Sequence, residues 1–175
     1  MKLFLTIALN SFIAIAIVYL IILIVDVTFV ISFSSIMKHH AHDLTVILTN
    51  KRDNLVKLVE FLNGSGTKLD KKKVDKLLSF DTKRLEITDD PDSKEARSEL
   101  TSLNDYFLSI YEQNDIKDEN GECQKIISNI YELEKVYRHH LMMYNADVLG
   151  YNFWIDFFPT RFIYRILRFK SKENI

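Results

Sequence analysis

Five histidines are the side chains best able to do chemistry at neutral pH, and they fall in two clusters: His39, His40 and His42, then His139 and His140. Imidazole titrates near neutrality and binds transition metals, so such clusters could hold Zn²⁺ or Ni²⁺, or act as a pH sensor. Adjacent residues on a helix point about 100° apart, and no cysteine or glutamate completes a ligand set at a standard zinc spacing. The sequence therefore predicts solvated histidines and no metal site. Other chemistries are weaker still. If Gly121 is placed at the glycine of a calcium-binding loop, Ile116 and Ile127 fall where the two end ligands belong, so the loop fails at both ends. His42-Asp43 resembles a metal-hydrolase His-Asp pair, but the further ligands at helical spacing are absent. There is no glycine-rich phosphate loop, no nucleophile elbow and no Cys-x-x-Cys. Cys123 is the single cysteine and cannot form an intrachain disulfide. No catalytic residue, cofactor or metal is expected, and the chain reads as a non-enzyme.

The elements that must carry these residues divide sharply in composition. Between Leu3 and Met37 the only charged side chain is Asp26, whereas 45 of the 47 lysines, arginines, aspartates and glutamates lie from Lys38 onward. Leu3–Val25 gives 23 uncharged residues, enough for a helix to cross a bilayer. The run is longer than a signal-peptide core, and no Ala-x-Ala site follows it. An uncleaved single-pass anchor is expected, with Asp26 at the interface or buried by a partner. Lys38, Lys51, Arg52 and Lys57 outweigh Lys2 across the span, so the positive-inside rule predicts an outside N-terminus and a cytoplasmic domain in the cell membrane.

The charged remainder reads as helices, because four glycines and two prolines leave little material for turns. Leu44, Ile47, Leu48, Leu55, Leu58, Val59 and Leu62 mark one helix face, interrupted only by Lys51. A second helix is predicted over Lys71–Glu86. A third has Ser93 as its N-cap and carries Ala96, Leu100, Leu103, Phe107 and Ile110. A long fourth presents Ile127, Ile130, Leu133, Tyr137, Leu141, Tyr144 and Val148. The fold class is all-α: an N-terminal transmembrane helix followed by an antiparallel four-helix bundle with coiled-coil-like packing. Three segments follow: anchor and juxtamembrane helix over 1–37, bundle over 38–158, and a basic aromatic segment over 159–175. Up-down connectivity sets residue 40 level with about residue 143, and residue 32 level with residue 151.

Tyr144-Asn145, Val148, Tyr151-Asn152, Ile155 and Phe158-Pro159 spell YN-x-x-V-x-x-YN-x-x-I-x-x-F-P. This run, the segment DNLVKLVE from Asp53 to Glu60, and Glu134 ten residues before the first YN resemble the LemA family of bacterial membrane proteins. Val56 stands where that family usually has proline, so the chain resembles a divergent member. The resemblance implies a bitopic, membrane-anchored helical bundle without established enzymatic activity. In packing terms the two tyrosines should be buried, and the two asparagines should hydrogen-bond a neighbouring helix and fix its register.

Between Tyr151 and Phe169 lie 8 of the chain's 21 aromatics, Trp154, Phe157 and Phe162 among them. Arg161, Arg165, Arg168 and Lys172 follow a 4-3-4 spacing that would line one stripe of a helix. Cations beside aromatics are the pattern of an interfacial helix, so membrane lipids are the expected partner of Trp154, Phe157, Arg161, Phe162, Arg165 and Arg168. A formal net charge of −1 argues against nucleic acid. The functional expectation is a scaffold or interaction protein in membrane or envelope organisation, with protein partners or self-association. The alternative is a signalling or sensor module relaying a ligand or pH event through its helices.

Overall fold

The computed structural model describes residues 2–88, 90–114, 121–157 and 160–175, and side chains within these except those of residues 2, 3 and 5. Phe158, Pro159 and most of the calcium-like segment at 115–121 lie outside the described residues. The described residues form five α-helices and one 3-10 turn, with no strand among them. The helices are α1 (Lys2–Gly64), α2 (Lys71–Leu78), α3 (Pro91–Gln113), α4 (Glu122–Asp156) and α5 (Arg161–Ile166); the 3-10 turn is Thr82–Leu85. The apolar stretch, the juxtamembrane residues and the first amphipathic face are thus one uninterrupted α1. Nothing between residues 2 and 63 breaks it, because that span has neither proline nor glycine.

Two helix boundaries differ from those predicted. Helix α2 stops at Leu78, and the backbone restarts at Asp81, whose carboxylate accepts from the Lys83 N–H to cap the 3-10 turn. The restart turns Phe80 and Leu85 into the core beside Leu77. Helix α3 is capped three residues earlier than the expected Ser93. Asp90 is its N-cap and Pro91 opens the first turn, the position where a missing N–H costs nothing. Ser93 is buried and its hydroxyl meets that of Thr88 at 2.9 Å.

The chain forms two compact units. Unit 2, His39–Met143, holds one core: Leu55, Leu58, Val59 and Leu62 of α1, Leu77 of α2, Ala96, Leu100, Leu103 and Phe107 of α3, and Cys123, Ile127 and Ile130 of α4. Each fully buried leucine or isoleucine contributes roughly 1.5–3 kcal/mol against the entropy of ordering the chain.

Unit 1 comprises Met1–Lys38 and Tyr144–Ile175. Among the described residues, those buried in it are Asp26, Val30 and Met37 on α1, Tyr144, Val148, Tyr151 and Ile155 on α4, and Thr160 and Tyr164. Phe29 stacks flat on Trp154 at 4.5 Å between ring centres, and the Phe33 ring lies against the backbone of Gly150. A Cβ at Gly150 would come within 2.6 Å of that ring, so glycine is what admits the approach. Residues 33 and 150 therefore lie side by side within unit 1. Toward the N-terminal end of α1, Phe4, Leu9, Phe12, Ile15, Val18, Leu20, Ile21 and Ile24 are all more than half exposed.

Candidate functional site

Three polar clusters stand out against these apolar faces. The first surrounds Asp26, which is fully buried within unit 1. Thr160 donates its hydroxyl to the Asp26 carboxylate, and the Tyr164 phenol faces the same group. Burial, and then the charge of Asp26, push that phenol up to about 12. Asp26 is therefore enclosed by residues of its own chain, beyond the α4 stretch that carries the YN motifs.

The second cluster is built by those motifs. Tyr144, Val148, Tyr151 and Ile155 are buried, as their seven-residue and 3–4 spacings require. The asparagines differ from expectation, because they bind no neighbouring helix. Asn145 donates to the carbonyl of Ile175 and accepts from its N–H, both at 3.0 Å. Asn152 forms the same reciprocal pair with Lys172, both at 2.9 Å. Seven residues of α4 rise about 10.5 Å, and three residues of extended chain span about 9–10 Å. The two carboxamides are thus spaced to grip one extended segment at two points, running opposite to α4.

That grip goes with an early end to α5, a departure from the predicted basic helix that continued to Lys172. Arg168 takes a left-handed φ of 61°. The Arg168 N–H reaches the Arg165 carbonyl at 3.2 Å, and the Phe169 N–H reaches the Tyr164 carbonyl at 3.0 Å. These are the two hydrogen bonds of a Schellman stop, and the Phe169 and Tyr164 rings pack at 5.5 Å as such a stop favours. Arg161 and Arg165 lie on α5, whereas Lys172 is in the clamped segment rather than on a shared helical stripe. Arg161 pairs with Asp156 at 3.5 Å; Phe162, Arg165 and Arg168 are exposed. Trp154 and Phe157 are half-buried, with 5.5 Å between their rings.

The third cluster lies in unit 2, on the facing sides of α1 and α4. Lys51, the interruption in the first apolar stripe, is buried and donates to Glu134 at 2.7 Å. Arg138 reaches the other Glu134 oxygen at 3.1 Å. Burial acts to raise the Glu134 carboxyl, but its bonds to Lys51 and Arg138 outweigh that and hold it below the ordinary range. Further along the same faces, the His40 and His140 rings meet at 5.7 Å, and Asp43 lies within 3.6 Å of His140. Residues 40 and 140 thus meet in unit 2.

No family model, no curated protein and no solved structure matches the chain. Function must then be argued from this geometry. Among the described residues, the surface hollows over α1 and α4 at Asn54, Lys57 and Asn129 hold roughly 400 Å³ each and are lined mainly by solvated polar groups.

Proposed function

We propose that this is a single-pass membrane protein of the LemA type, a non-enzymatic helical scaffold whose unit 2 binds protein partners or further copies of itself. The observation that carries the anchor is the apolar surface of α1. From Phe4 to Val25 the helix is long and apolar enough to cross a membrane, and its large side chains stay exposed on every side. An uncovered band of this kind is far larger than soluble proteins tolerate, and a bilayer is the solvent that would cover it. The bundle is read as antiparallel, supported by the pairs His40–His140 and Lys51–Glu134, in which α1 numbers rise as α4 numbers fall. Orientation follows the excess of Lys and Arg after the span: N-terminus outside, unit 2 cytoplasmic.

Two measurements test this reading. The full chain should stay with the membrane pellet after alkaline carbonate extraction; release into the supernatant would refute the anchor. A reporter fused after Ile175 should be active only when retained in the cytoplasm, and activity solely outside would reverse the orientation. Photo-crosslinking from exposed unit 2 positions such as Tyr131 or Val136, followed by recovery from native membranes, should then capture specific partners. A second reading, a sensor module, is favoured by the imidazole–carboxylate cluster at His40, Asp43 and His140.

A further inference from the structure

We infer that His40, Asp43 and His140 form a binding site for a divalent transition-metal ion of the zinc class. The inference stands apart from the scaffold reading, since it needs neither a lipid bilayer nor a partner protein.

The site is built by two helices. His40 and Asp43 are three residues apart on α1 and so share a face, and α4 brings His140 across to them. One donor atom from each of the three residues lies within 4.8 Å of the other two. All three residues are half-buried, so they are partly withdrawn from water yet open to an entering ion.

The contacts of Asp43 with the imidazoles are long for hydrogen bonds. His140 Nδ1 lies 3.6 Å from Asp43 Oδ2, and His39 Nε2 lies 3.5 Å from the same oxygen. Hydrogen bonds between nitrogen and oxygen run about 2.7–3.2 Å, so neither contact is a good one. Two donors each about 2.0–2.1 Å from one tetrahedral metal are separated by about 3.4 Å. The His140–Asp43 separation is therefore closer to metal-ligand spacing than to hydrogen-bond spacing, and the His40 donor atom lies within 4.8 Å of both. The donor chemistry narrows the ion. Two imidazoles and one carboxylate suit Zn²⁺, Co²⁺, Ni²⁺ or Cu²⁺, whereas Mg²⁺ and Ca²⁺ take oxygen ligands. Three protein donors leave a fourth position, which a water can fill. His39, mostly exposed but already beside Asp43, is the side chain nearest to that role.

Bound metal would tie α1 to α4 across the 96 residues of chain between Asp43 and His140. Ligand binding of this kind stabilises the folded state in proportion to the logarithm of metal concentration over Kd.

The experiment uses the untagged full chain in nonionic detergent, titrated calorimetrically with zinc chloride. One saturable site per chain is expected, weakened at least tenfold by His140→Ala, His40→Ala or Asp43→Asn. His42→Ala, which removes an exposed histidine outside the cluster, should leave the affinity unchanged. Each variant's helix content, read by circular dichroism without metal, must match the parent's for its titration to count. Cobalt added to the unaltered chain covers the case in which the variants misfold: tetrahedral coordination gives intense visible absorption that zinc then displaces. Absence of saturable zinc binding, absence of that absorption, or equal weakening by His42→Ala would each overturn the assignment.

Discussion

Removing the Glu134 carboxylate is the sharpest test of how unit 2 is held together. Lys51 has a side chain only 5% exposed, and its ammonium is bonded to Glu134 at 2.7 Å. Truncating one partner of a buried ion pair typically costs about 3–5 kcal/mol, because the surviving charge is stranded out of water. Here the Glu134 side chain is 31% exposed, so water can partly take its place. Glu134→Ala should therefore destabilise the fold by about 2–3 kcal/mol. The bond to Arg138 adds little, since that side chain is 75% exposed. The decisive comparison is Lys51→Met with Glu134→Leu. It removes both charges and extends the apolar stripe of α1, so it should recover most of the loss. Urea denaturation of the full chain in detergent, followed by helical circular dichroism, measures all three proteins. If Glu134→Ala costs less than about 0.5 kcal/mol, or the double variant is no more stable than Glu134→Ala, the buried-pair account fails. The pair also has a pH signature. A carboxyl held below its ordinary value of 4.5 contributes its stability in full above that value. That contribution is lost as pH falls through the depressed value, so the gap between parent and Glu134→Ala should close on acidification.

Three further outcomes concern unit 1. Asn145→Ala combined with Asn152→Ala deletes four hydrogen bonds, each contributing about 1 kcal/mol, and should expose Lys170 and Lys172 to rapid tryptic cleavage; unchanged cleavage would show the clamp to be idle. Gly150→Ala should gain about 1 kcal/mol of helix propensity and lose about 1–3 to overlap with Phe33, so it destabilises the parent but stabilises a Phe33→Ala background. Thermal denaturation of the four-protein cycle reads that reversal of sign. Arg168→Gly relieves the left-handed backbone at the end of α5 and should raise stability by about 0.5–1 kcal/mol in the same assay, with no gain if the Schellman stop is absent.

Periodicity located the packing faces of α1 and α3, whereas Leu78 of α2, which shares the spacing, is exposed. The stripe from Leu44 to Leu62 and the positions Ala96, Leu100, Leu103 and Phe107 are buried as their spacing demands. Lys51 was visible as an interruption, but its meaning required Glu134, 83 residues away, and pairing over that distance leaves no trace in a helical repeat. The break at Ser79–Asp81 was hidden because Leu85 keeps helical spacing with Leu78 and Leu77 although the backbone between them turns. Asp90-Pro91 did carry a start signal for α3, stronger than that of Ser93. The histidine cluster was only half legible. Imidazoles in two places were evident, whereas Asp43 as their shared neighbour emerged only when α1 and α4 came together. The asparagine contacts were not legible at all. A carboxamide that bonds peptide groups is indifferent to which side chains its target carries, so no partner pattern exists to be found.

That indifference makes the clamp a lock without a key. Asn145 and Asn152 bond the N–H and C=O that nearly every amino acid possesses, so residues 172 and 175 hold their places by tethering rather than by identity. A short tether keeps a segment at an effective concentration in the millimolar range. Any other extended chain of the same polarity competes on equal terms once it is delivered at that concentration. What protects the native pairing is proximity, and crowding copies of the protein together is the condition under which proximity stops discriminating.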